Sequence, residues 1–178
     1  NSPPKVNKVV QLGSKGLRVY MSEPIKFAKS SNFKLNSKNF SGQVELADNV
    51  ITLKYYSTSF APKEGKHVLN VLGLEDFAEY RMINQDISFD IVNDTEAPNI
   101  LDARATMEEA IIEFDEEIDP SSVTRTSFYW KSGSSKRYPS SIKVVNNKVL
   151  LNFSGNTLPI YEISIHIDSI ADYSGNKL

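Results

Sequence analysis

The side chains of this sequence best placed to do chemistry are carboxylates in three short stretches: Asp94 and Glu96; Asp115, Glu116, Glu117 and Asp119; Asp168 and Asp172. An oxygen-only donor set of this kind suits a hard divalent cation. Calcium takes six to eight oxygens at about 2.3–2.6 Å, and it relieves the repulsion that acids crowded into one place exert on one another. Zinc fits less well, because cysteine is absent and the only histidines are His67 and His166. There is no D-x-[DN]-x-[DN]-G loop, so the pattern is not an EF-hand. The ligand pool is Asp94, Glu96, Asp115, Asp119, Asp168 and Asp172, with calcium as the ion. Solvated acids in surface turns are the alternative reading.

Catalysis has little to draw on. His166 falls on the outward phase between Ile165 and Ile167, and His67 begins a strand, so neither has a necessary partner as a general base. Glu116 and Glu117 are sequence neighbours in a turn rather than a pair facing each other across a cleft. The chain reads as a protein that is not an enzyme. Tyr20, Tyr56 and Tyr129 occupy outward phases; a flat strip of exposed aromatics would mark a carbohydrate-binding module.

The elements that must position these acids are strands. Leu17, Val19 and Met21 alternate with Arg18 and Tyr20, and Tyr161, Ile163, Ile165 and Ile167 alternate with Glu162, Ser164 and His166. Turn-forming clusters such as Gly13-Ser14-Lys15-Gly16 and Ser132-Gly133-Ser134-Ser135 separate the runs. No stretch offers a long amphipathic helix, so the class is all-β.

The sequence also repeats. Leu17 to Ile25 (LRVYMSEPI) lies over Ala110 to Ile118 (AIIEFDEEI), Phe33 and Leu35 over Phe128 and Trp130, and Lys66 to Phe77 over Glu162 to Tyr173. This gives two copies of one sandwich, 1–93 and 98–178, joined by the acidic linker 94–97. In the second copy Ile112, Phe114, Phe128, Trp130, Val149, Leu151, Ile163 and Ile165 share one phase and form the predicted core. The first copy runs on through Ile87, Phe89 and Ile91, a closing strand, whereas the second has nothing equivalent before Leu178; the second sandwich is expected to lack its last strand. In a seven-stranded antiparallel sandwich the loops after even-numbered strands return to the entry pole, which brings all three acidic stretches to the joint.

Composition narrows the rest. With 24% charged and 40% hydrophobic residues and a net charge of -2, the chain has an ordinary globular composition and no basic stripe for nucleic acid. No apolar run reaches the roughly 18 residues of a membrane span, and Asn1-Ser2-Pro3-Pro4 is neither an initiator methionine nor a signal peptide, so the chain reads as part of something longer. Charge is divided: residues 1–93 hold 12 Lys and Arg against 9 Asp and Glu, a net of +3, and residues 98–178 hold 8 against 11, a net of -3. Such a division favours contact between neighbouring molecules in an array.

The run FDEEIDPSSVT (Phe114 to Thr124), followed by SIADYSGNKL (Ser169 to Leu178), resembles the bacterial immunoglobulin-like domains found in tandem in Gram-positive S-layer and other cell-surface proteins, and DTEAP (Asp94 to Pro98) looks like the joints between them. The first copy departs from the pattern, with Ala78-Glu79-Tyr80 where the second has Ser174-Gly175-Asn176. The resemblance implies two immunoglobulin-like β-sandwiches, an extracellular, cell-wall location, calcium at domain joints, and a structural role in a surface array. The partners it implies are neighbouring copies and further domains of the same chain. An adhesin repeat or a carbohydrate-binding accessory module is the rival reading, because one module serves many functions.

Overall fold

The structure, a computed structural model, describes residues 2–178 and is all-β. It divides into two compact units, Asn1–Asp94 and Thr95–Leu178.

In the first unit one antiparallel sheet holds β1 (Val6–Leu12), β2 (Gly16–Met21), β6 (Gly42–Ala47) and β7 (Val50–Tyr55) in the order β1-β2-β7-β6. A second holds β4 (Phe33–Leu35), β5 (Lys38–Asn39), β8 (Gly65–Val71) and β10 (Gln85–Ile91) in the order β10-β8-β4-β5. β3 (Ile25–Phe27) and β9 (Glu75–Asp76) form a small pair. Alternate residues of the two sheets, Leu17, Val19, Ile51 and Leu53 from one and Phe33, Leu69, Val71 and Phe89 from the other, bury in one core. Period-two alternation has produced a sandwich, as the pleat requires.

The second unit repeats the plan. β11 (Ile100–Ala105), β12 (Glu109–Phe114), β16 (Lys148–Asn152) and β15 (Ser141–Val145) form the first sheet, in that order. β14 (Ser135–Arg137), β13 (Phe128–Ser132) and β17 (His166–Ile167) form the second. Correspondence reaches single hydrogen bonds. The Asn49 side chain donates to Met21 O at 3.1 Å, and its counterpart Asn147 donates to Phe114 O at 2.8 Å, so an amide in each tight turn ties that hairpin to the neighbouring strand. Asp48 (φ 58°) and Asn146 (φ 56°) hold the same left-handed turn position, where short polar side chains are tolerated best. β1 and β11 carry their bulge at the same point, between Val6 and Lys8 and between Ile100 and Asp102.

Six of the eight residues predicted for the second core, Ile112, Phe114, Phe128, Trp130, Val149 and Leu151, are buried in one cluster. Ile163 and Ile165 depart from the expectation: they are only half-buried and pack against the cluster from its rim. The run from Tyr161 to Ile167 also forms less strand than its alternation suggests, since only His166 and Ile167 are paired, with Tyr129 and Phe128. The physical reason is shared. Among the described residues no strand lies on the far side of this run, which leaves its backbone unpaired and its isoleucines uncovered.

The turn after each unit's last matched strand is built around an aspartate. Asp76 Oδ1 accepts from Tyr80 N at 2.8 Å, and Asp172 Oδ1 accepts from Asn176 N at 2.9 Å. The chain reverses through a left-handed residue at the same place, Glu79 (φ 67°) in the first unit and Gly175 (φ 93°) in the second. A glutamate bears a Cβ penalty there that glycine does not. The ion pair Glu79 forms with Lys26, 3.2 Å and exposed, offsets little of it. Glu79→Gly is expected to raise the stability of the first unit by up to about 1 kcal/mol, measured by urea denaturation.

Candidate metal centre

Two acids of the second unit approach one another: Glu116 and Asp172 each offer one carboxylate oxygen, and these oxygens lie within 4.8 Å of one another. They arrive by different local routes. Asp94, half-buried, ends the first unit. Glu116 follows β12 in the turn that leads to Ile118, whose bridge to Asp172 carries the chain of the later turn alongside. Asp172 is 1% exposed, and its Oδ1 accepts from Gly175 N at 2.6 Å and Asn176 N at 2.9 Å while Oδ2 accepts from the Asn176 side chain at 2.9 Å.

The other predicted acids are engaged elsewhere. Asp115 is exposed; its Oδ1 accepts from Asn99 N at 2.7 Å and its Oδ2 from the Asn99 side chain at 3.0 Å, fastening the start of β11 to the end of β12. The backbone N–H of Asn99, and after it the side-chain amide, hold the Asp115 carboxyl below the usual carboxylate range. Asp119 is buried and caps a short 3-10 turn at Pro120–Ser122, accepting from Ser121 N and Ser121 Oγ, both at 2.9 Å. Asp168 is exposed and accepts from Ser169 Oγ at 3.0 Å, and Glu96 is exposed in the linker. Sequence spacing placed Glu116 among the acids of this turn without selecting it as a ligand. A signal was present: Glu116 aligns with Glu23 of the first copy, one residue beyond the position, Ser22 or Asp115, whose side chain holds the preceding backbone through Lys5 N or Asn99 N.

The donor chemistry fits calcium. Glu116 and Asp172 both offer hard oxygen, and water, backbone carbonyls or a further carboxylate would complete the six to eight ligands that calcium takes.

The outward tyrosines make no open aromatic strip. The Tyr129 ring stacks on His166, with centroids 4.9 Å apart and planes 16° apart, and Lys136 Nζ lies 4.1 Å from its centroid. Tyr20 carries Lys8 Nζ at 4.6 Å. Of these three tyrosines, Tyr56 is the one with an open ring, at 67% exposure.

Comparison with known proteins places the chain. No family model matches it, and no solved structure matches it. It is 37% identical over 183 residues to the surface-layer 125 kDa protein of Lysinibacillus sphaericus, an alignment that takes in 100% of this chain and 16% of that protein. It is 29% identical over 189 residues to the outer cell wall protein of Brevibacillus brevis, again with 100% of this chain and 18% of the relative. The chain thus spans less than a fifth of the length of these curated relatives. Along its whole length it is a homologue of a segment of bacterial surface-layer and outer cell wall proteins.

Proposed function

We propose that the chain is a structural module of a bacterial cell-surface array, located outside the cell in the wall layer, and that it acts through the shape of its two sandwiches and their lateral contacts rather than through catalysis. The observation that carries this reading is the similarity, along the whole of this chain, to segments of two proteins named for surface-layer and outer-cell-wall roles. The opposite charge of the two copies supports it, because a basic module meets the acidic module of a neighbour on favourable terms. The partners are neighbouring copies and further domains of the same polypeptide. Immunogold labelling with antibody raised against the chain tests the location: gold on intact cells at a regular spacing is expected, and label appearing only after lysis overturns the reading.

Within that role we propose calcium as the ion of Glu116 and Asp172, with Asp94 of the linker stretch as a further ligand. Binding to the folded state alone stabilises by RT ln(1 + [L]/Kd), about 2.7 kcal/mol at a hundredfold excess over Kd. Protons compete for the same oxygens, so affinity falls in acid. Calorimetric titration with calcium chloride, and thermal unfolding with chelator or with millimolar calcium, check this. The expected result is one site, a higher melting temperature in calcium, and loss of both in Glu116→Gln and Asp94→Asn, which leave the bonds of Asp172 intact. Identical melting with and without calcium, or full binding in both variants, contradicts it.

A further inference from the structure

The two units differ at the strand that closes the first, and that difference leaves an open groove in the second. In the first unit β10 pairs along the whole of β8, from Gln85 with Val71 to Ile91 with Gly65, and Phe89 and Ile91 enter the core. It is also stitched to β1 at both ends. Gln85 Oε1 accepts from Val6 N at 2.8 Å; Gln11 Nε2 donates to Val92 O and Gln11 Oε1 accepts from Val92 N, both at 2.9 Å. The second unit has counterparts of β1 and β8 in β11 and β17, and between them lies a cavity of about 260 Å³ whose walls include Ala103, Ala105, Leu158, Ile163, Ile165 and Ile167.

The shared register shows what is missing from this cavity. Phe33 pairs with Val71 as Phe128 pairs with Ile167, so Leu69 and Val71 correspond to Ile165 and Ile167. The first two are fully buried and the second two only half-buried. Val6 and Ile100 correspond through their common bulge, yet Val6 is 9% exposed and Ile100 is 49% exposed. Apolar residues that one unit covers with a strand are left wet in the other, on both walls of the groove. An apolar groove beside an unpaired strand is the setting for strand addition, in which main-chain hydrogen bonds bind and alternate side chains fill the pocket.

The same register says where the strand comes from. Met82 N donates to Leu74 O at 2.9 Å in the first unit, and Leu178 N donates to Ile170 O at 3.2 Å in the second, which makes Leu178 the counterpart of Met82. β10 starts at Gln85, three residues beyond Met82. We infer that the groove between β11 and β17 is the seat of a further antiparallel strand, with apolar residues at alternate positions, supplied by polypeptide that follows Leu178 in longer proteins of this kind. The strand pairs with Ile163, Ile165 and Ile167, lengthens β17, and covers Ile100. The relatives, in which the matched segment is 16% and 18% of the length, are long enough to carry such a strand within the same chain.

The test appends a strand of known fit. The sequence of residues 83–93, which contains β10, is joined directly after Leu178, and a control carries the same residues in an order that destroys the alternation. Hydrogen exchange at the amides of Ile163, Ile165 and Ile167 is expected to slow by about tenfold or more in the first protein and not in the control. Ile165→Asp in the extended protein is expected to abolish the slowing. The amides of β8 serve as the internal reference for folding, since they lie in the other unit. Equal exchange in the extended protein and the control overturns the inference. So does concentration-dependent dimerisation that persists after extension and is abolished by Ile165→Asp, which would assign the groove to a second copy of the chain.

Discussion

Replacing Trp130 with alanine lowers the stability of the second unit by about 3–5 kcal/mol, the usual cost of removing a buried aromatic. The indole sits at 7% exposure among Phe114, Phe128, Leu151 and Phe153, and its Nε1 donates to the carbonyl of Asn156 at 3.4 Å. Truncation therefore removes apolar burial, opens a cavity, and leaves that carbonyl without the indole in the loop after β16. Domains of this size are stable by roughly 5–15 kcal/mol, so a loss of this magnitude moves the unfolding midpoint by many degrees. Differential scanning calorimetry follows it, with the transition of the first unit as a reference that distant substitutions leave unchanged. Trp130→Phe keeps much of the volume and is expected to lose less than half as much. A shift equivalent to under about 1 kcal/mol in the alanine variant contradicts the packing.

Asp172→Ala is expected to destabilise the second unit by about 2–4 kcal/mol even when no calcium is present. The carboxylate is buried and accepts from two backbone N–H groups and one side-chain amide, and hydrogen bonds to a charged group are each worth about 1.5–3 kcal/mol. Removing it strands those donors in the turn that brings Ala171 and Asp172 back against Asp119 and Ile118. Asp172→Asn retains one acceptor oxygen and should lose less. Asp76→Ala in the first unit is the matched experiment, since Asp76 holds the equivalent turn. Urea denaturation in excess chelator separates this structural role from ion binding. If Asp172→Ala leaves the chelated protein unchanged and removes only a response to calcium, Asp172 is a ligand without a structural role.

Alternation and repetition made most of the fold legible. Phe114, Phe128, Trp130 and Leu151 share one phase of their strands, and that phase is the one turned inward. Period two reports which way a residue faces, however, and not whether another sheet or strand lies opposite. Ile163 and Ile165 therefore read as core and stand at a rim. The likeness of the two copies was visible in their strands more than in their turns. The Asp76 and Asp172 turns follow one path, although Ala78-Glu79-Tyr80 and Ser174-Gly175-Asn176 have little chemistry in common, because an aspartate and a left-handed residue three positions later are enough to set it.

Strand parity predicts that the acids share one end, and it does not say which oxygens converge. That depends on turn dihedrals and on competing donors. Asn99 engages Asp115, and Ser121 engages Asp119, while Glu116 is carried toward Asp172 by the Ile118 bridge. Alternation likewise could not show that Tyr129 would be occupied by His166 and Lys136, which depends on a cross-strand pair.

The structural role is tested most directly by electron diffraction from sheets assembled by the full polypeptide that bears these two units, intact and with both units excised. The account predicts a regular lattice from the intact protein and a lost or differently spaced lattice from the excised one. Sheets of identical spacing and order from both proteins would contradict it.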